Sequence, residues 1–135
     1  MVGILLMTHA PLGAAFIAAV AHVFRGPTES FEAIDVTADQ DLGEVNELAR
    51  QAICRLDDGS GVLVITDIKG GTPANCCNRL ADAGRVEVIA GISLPMLLRA
   101  ITYRRDSLDV VVEMALAGAQ SGAVRVDNRI RVGPQ

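Results

Sequence analysis

The chain has 135 residues, which is the length of one domain; half are hydrophobic, only 3% are aromatic, and the formal charge is −4. The acidic balance, with Arg104-Arg105 as the one adjacent basic pair, excludes a nucleic-acid surface, which needs clustered positive charge. Three cysteines (Cys54, Cys76 and Cys77) have neither the even number of a disulfide framework nor the C-x-x-C spacing of a zinc site, so burial on a helix is their expected role.

The chain opens on the apolar run Val2 to Met7, which continues into Thr8-His9-Ala10-Pro11. Short apolar runs bounded by turn signals read as buried parallel strands, so residues 2–8 form strand one. Pro11 suits the first turn of a helix over 11–25, which Gly26-Pro27 stops. Leu12, Phe16, Ala19 and Val23 mark the apolar stripe of that helix, and Ile17, Val20 and Phe24 widen it. A helix this apolar is expected to be buried on more than one side, which invites a partner subunit. His22, far from the strand end, reads as a surface or structural histidine. The N-terminal apolar run has no basic region before it, so it does not read as a secretion signal. No stretch reads as membrane-spanning, and a cytoplasmic protein is expected.

Phe31 to Val36 is strand two, short and carrying Glu32 and Asp35 as suits an edge. Asp41-x-x-Glu44 resembles a capping box for a helix over 42–56. Its core stripe is Val45, Leu48, Ala49, Ala52, Ile53 and Leu56; Glu44, Glu47 and Arg50 are its solvated side. After turn chemistry at Asp57 to Gly61, the run Gly61 to Asp67 is the second strongly buried strand pattern, ending in Asp67. Gly70-Gly71 lets the backbone turn, and Thr72 caps a helix begun by Pro73 and running to about Asp82, with Ala74, Cys77, Leu80 and Ala81 inward. Val86 to Ala90 is strand four. Ser93 caps the next helix, holding Pro95, Met96, Leu97 and Ile101, and a last helix covers about 107–121. The tail from Ala123 to Val132 alternates apolar and charged residues about Asp127-Asn128 and reads as a half-exposed strand or hairpin, paired antiparallel at a sheet edge, on this subunit or a neighbour.

This order of elements predicts an α/β, doubly wound, mainly parallel sheet of order 2-1-3-4, flavodoxin-like. Strands one and three are then neighbours where the winding reverses, and ligands of such sheets bind there. His9 and Asp67 end those two strands. Asp67 can accept a hydrogen bond from Nδ1–H of His9, which leaves Nε2 as a lone-pair nucleophile, and the carboxylate offsets the positive charge that develops when Nε2 attacks. Thr8, Gly70, Gly71 and Thr72 are the candidate phosphate-binding residues. The amides near Gly71-Thr72, and those opening the first helix, can hold phosphoryl oxygens. No metal-ligand cluster is evident, and no metal is needed if the donor is itself a phosphohistidine; no cofactor is expected. Walker A and G-x-S-x-G are missing, as is the acidic pair of a receiver domain after strand one.

At these residues the chain resembles the EIIA component of the mannose family of the bacterial phosphoenolpyruvate:sugar phosphotransferase system. The matching pieces are Gly3 to His9, Gly61 to Asp67, Gly70-Gly71-Thr72-Pro73-x-Asn75 and Val88 to Met96, in family order over about 2–122. The resemblance implies phosphorylation of His9 on Nε2 by the phosphocarrier HPr, transfer to an EIIB partner, Asp67 as the residue that orients the histidine, and a homodimer with exchanged C-terminal strands. It divides the chain into an EIIA domain, 1–122, and a strand or hairpin extension, 123–135. Thr72 stands where sugar-transporting members commonly have Ser, and Lys69 where an apolar or aromatic residue is common. The alternatives are a non-catalytic regulatory module of the same fold, a flavodoxin-type anion or nucleotide binder, and the phosphoryl-donor subunit of a dihydroxyacetone kinase, against which the Gly70-Gly71-Thr72-Pro73 loop argues.

Overall fold

The computed structural model describes residues 1–77, 80–82 and 84–127, with the side chains of residues 74, 76 and 77 outside the description. Its elements are β1 (Gly3–His9), α1 (Leu12–Phe24), β2 (Phe31–Val36), α2 (Leu42–Leu56), β3 (Val62–Thr66), α3 (Thr72–Cys77), β4 (Val86–Ala90), α4 (Leu94–Thr102) and α5 (Leu108–Gly122). The four strands pair in parallel in the order β2-β1-β3-β4. This is the expected doubly wound sheet, and it makes β1 and β3 central.

Strand alternation divides the core into two layers. Ile4 and Leu6 of β1, Leu63 and Ile65 of β3, and Phe31 of β2 pack with Val20 of α1, Met96, Leu97 and Ala100 of α4, and Leu108, Val111 and Ala115 of α5. Leu5, Met7, Val62, Val64, Val36 and Val86 face the other way, against Val45, Ala49, Ala52 and Leu56 of α2. The apolar runs of β1 and β3 are continuous because both faces of each strand are covered.

The helix starts follow their capping chemistry. The Asp41 side chain accepts from the Gly43 amide, Ser93 from Met96 and Ser107 from Val110. A buried guanidinium closes the amino end of the sheet. Arg104 donates to the carbonyls of Val2, Glu29 and Ser30 at 2.6 to 3.1 Å. Burial lowers its pKa from the ordinary value, yet arginine there stays charged.

Several expectations are corrected. The buried side of α1 is Gly13 and Val20, with Phe16 and Ile17 half-buried, whereas Leu12, Val23 and Phe24 of the expected stripe are exposed. A helix apolar all round has no period to mark its inner face. Leu48 of α2 is likewise exposed, as is Cys54. As expected, α1 stops before Gly26-Pro27, and its end is turned by Arg25 in the left-handed region, φ 61°. Asp82 does not end α3 but bridges antiparallel to Val86, and Ala81 is exposed. The side chains of Cys76 and Cys77 lie outside the described ones. Residues 123–127 form no strand, with Val124 and Val126 exposed, and the rest of the expected hairpin lies outside the described residues. Among the described residues, no helix is long and apolar enough to cross a membrane.

Candidate functional site

His9 is the last residue of β1, and Asp67 follows the last residue of β3. Met7 and Thr66 are register partners, so the two strands deliver these side chains side by side at the carboxyl edge. The ring Nδ1 of His9 stands 2.8 Å from Oδ2 of Asp67, and the His9 amide donates to the same oxygen at 3.1 Å. The other oxygen, Oδ1, accepts from the Ile68 amide at 3.0 Å and from the Thr66 hydroxyl at 3.4 Å. Four donors therefore hold one carboxylate in a single orientation, and that carboxylate holds the imidazole.

The environment of the pair is asymmetric. The Asp67 side chain is 6% exposed and that of His9 47%. Burial is the largest single influence on Asp67 and raises its pKa, but the hydrogen bonds and charge of His9 together outweigh it, leaving the carboxyl below the ordinary Asp value. An ionised Asp67 accepts from Nδ1–H, so the tautomer with a lone pair on Nε2 is the favoured one.

Gly71 lies against the open edge of the ring. A Cβ built on it would meet His9 Cε1 at 3.1 Å and Nε2 at 3.7 Å. The loop from Ile68 to Thr72 thus passes directly beside the free nitrogen. Gly70 has φ +85°, which turns the chain where an L side chain would be strained. Among the described residues, the amides of Gly70 and Thr72 donate to no recorded partner, whereas that of Gly71 reaches back to the Ile68 carbonyl at 3.4 Å.

Two of the amides that open the first helix, expected to hold phosphoryl oxygens, are already taken. The Gly13 amide donates to Asp35 Oδ1 at 2.8 Å and the Ala14 amide to Asp35 Oδ2 at 3.3 Å. Thr8 is wholly buried, and its hydroxyl lies 3.5 Å from Asp35 Oδ1. Asp35 is the residue that reading the sequence for site chemistry missed. The available signal was a carboxylate inside a strand, where Asp is disfavoured. Among the described residues, no group of three or more His, Cys, Asp or Glu is placed to hold a metal ion.

Known proteins of this architecture share the sequence pattern. The family model described as "PTS system fructose IIA component" matches residues 3–116. The "PTS system mannose-specific EIIAB component" of Escherichia coli (strain K12) is 31% identical over 105 residues, which cover 76% of this chain and 32% of that protein. The chain thus spans about a third of the length of the curated relatives it matches. Among solved structures, the phosphotransferase system component EIIA from Streptococcus agalactiae superposes with a TM-score of 0.82 at 23% identity, covering 93% of this chain and 97% of that one. The PTS IIA protein associated with the fucose utilization operon from Streptococcus pneumoniae gives 0.79 at 22% identity and 95% coverage of each chain. The mannose/sorbose specific IIA subunit from Enterococcus faecalis gives 0.77 at 23% identity, with 93% and 95% covered. At these identities the structural likeness speaks for the fold.

Proposed function

The chain belongs to the fructose/mannose IIA family of the phosphotransferase system, and from that premise we propose that His9 accepts a phosphoryl group on Nε2 from phospho-HPr and passes it to an EIIB partner. The single observation carrying this reading is the 2.8 Å contact between His9 Nδ1 and Asp67, with the opposite edge of the ring turned to Gly71.

The chemistry follows from the geometry. The Nε2 lone pair attacks phosphorus of the donor phosphohistidine, an Nε2–P bond forms, the donor N–P bond breaks, and its electron pair returns to the donor imidazole. Positive charge that grows on the His9 ring is offset through Nδ1–H by Asp67. Hydrogen-bond donors of the Gly70–Gly71–Thr72 loop, Thr72 hydroxyl included, take the phosphoryl oxygens. Thr8 acts indirectly, through its place behind His9. The same steps reversed in role deliver the group to EIIB. Neither metal nor cofactor enters these steps. The reading makes the protein a cytoplasmic component, its working part residues 1–122 and its extension 123–135, with a homodimer exchanging C-terminal strands.

The test is incubation with phosphoenolpyruvate, enzyme I and HPr. Wild type should gain an acid-labile mass of one phosphoryl group, and His9→Ala should not. A His9→Ala protein that gains the same mass removes His9 from the reaction. A regulatory module of the same fold is the competing reading; it predicts no mass gain in wild type.

A further inference from the structure

Phosphorylation of His9 creates a need for positive charge. A phosphoryl group carries about −1.5 to −2 at neutral pH. Here it sits on a ring whose other nitrogen is 2.8 Å from the carboxylate of Asp67. Two anionic groups across one imidazole repel each other, and the loop amides that take the phosphoryl oxygens bring dipoles but no net charge.

The loops that follow the four strands, residues 10–11, 37–41, 67–71 and 91–93, form the carboxyl edge around His9. They hold three carboxylates, Asp39, Asp41 and Asp67, against a single basic side chain, Lys69. Lys69 is also the only lysine of the 135 residues. It is exposed and, among the described residues, stands in no ion pair, whereas Arg55, Arg85 and the amino terminus are paired with Glu32, Asp57 and Asp58.

The placement suits an electrostatic role. Lys69 lies two residues before Gly71, so their Cα atoms are at most about 7 Å apart. A Cβ on Gly71 would stand 3.7 Å from His9 Nε2. Lys69 and Gly70 line a cleft of about 490 Å³ against Val88 to Ala90 of β4, which gives the lysine stem room to turn. A flexible four-carbon stem can therefore bring the ammonium to a phosphoryl group on Nε2 within the screening length of about 8 Å at physiological salt.

We propose that Lys69 is the charge-compensating residue of the phosphorylated site: its ammonium offsets the phosphoryl dianion on His9 and so sets how far the phosphoryl equilibrium lies towards this protein. The role rests on the phosphorylation of His9 proposed above. A lysine that only docks the donor protein would change the rates in both directions equally and leave that equilibrium alone, because the contact is absent from the separated proteins.

The experiment mixes phospho-HPr with unphosphorylated wild type, Lys69→Gln, Lys69→Arg or Lys69→Glu until the distribution of the phosphoryl group stops changing. Intact mass then gives the equilibrium constant, and the time course gives the rate. At low salt, Lys69→Gln should shift the constant about 3- to 10-fold towards HPr, as expected of one unit charge within a screening length of a dianion. Lys69→Glu should shift it further, and Lys69→Arg should restore it. The differences should shrink at high salt. Melting curves matching wild type set folding aside. A constant that is the same in Lys69→Gln and wild type overturns the proposal; if the approach to it is slower, Lys69 serves docking instead. A wild type that gains no phosphoryl mass removes the reading of His9 and this role with it, whereas a phosphorylated wild type with an insensitive constant removes Lys69 alone.

Discussion

Gly71 lies against the free edge of the His9 ring, and it has no conformational need to be a glycine. Gly71 is not among the glycines with positive φ, yet a Cβ on it would come within 3.1 Å of His9 Cε1. The absent side chain leaves space beside Nε2, which the proposed phosphoryl transfer requires.

Gly71→Ala is therefore expected to leave thermal stability close to wild type and to slow transfer from phospho-HPr. The ring would have to move by a few tenths of an ångström, and misplacement of reacting groups on that scale costs about 10-fold, given that 1 Å can cost 10². Single-turnover transfer rates beside melting curves check this. An unchanged rate would mean the loop retreats freely from the ring.

Asp67→Ala is expected to slow transfer by about 10²-fold or more, the usual range for a positioned acid–base partner. The variant loses the acceptor for both the ring Nδ1 and the backbone amide of His9. Proton-detected nitrogen spectra of His9 should show mixed tautomers where wild type shows Nδ1–H. A rate equal to wild type would take Asp67 out of the mechanism.

The Asp67 carboxyl carbon, followed by ¹³C spectroscopy, should titrate below the ordinary Asp midpoint of about 3.9, because hydrogen bonds to His9 outweigh burial. A carboxyl with a lowered folded-state pKa contributes stability above the unfolded midpoint and loses it as pH falls through the folded one. The contribution should thus persist at neutral pH and fade below about pH 4. In His9→Ala the burial remains while the ring hydrogen bond goes, so the midpoint should rise. A midpoint that stays or falls in that variant would show that His9 does not govern the carboxyl.

Arg104→Met is expected to destabilise the fold by about 2–4 kcal/mol, because carbonyls of Val2, Glu29 and Ser30 lose their buried donor. Urea denaturation measures it. Arg104 stands at the amino end of the sheet and the site at the carboxyl end, so the folded fraction should transfer phosphate at the wild-type rate. A loss below about 0.5 kcal/mol, the range of an ordinary surface change, would mean that the guanidinium is dispensable.

Local chemistry made much of the architecture readable in the sequence. Two uninterrupted apolar runs read as strands covered on both faces, and Asp41 and Ser93 occupy the caps that their side chains suit. His9 and Asp67 were readable as a pair because a parallel sheet with reversed winding brings the ends of its two central strands together. The inner face of α1 was not readable, since apolar residues surround the whole helix. The end of α3 was not either, because Asp82 answers to Val86 across a turn rather than to the helix before it.

What the sequence by itself determined is thus the order and kind of the elements as far as Gly122 and the two strand-end side chains at the carboxyl edge, all of which depend on neighbours within a few residues or on the winding rule. Only the tertiary structure decided which amides remain open to an anion. That question turns on Asp35, which reaches the first turn of α1 through the register of β2 on β1. Register is set by the packing of two layers of side chains at once, and a carboxylate delivered that way leaves no mark in the spacing of the chain around Gly13.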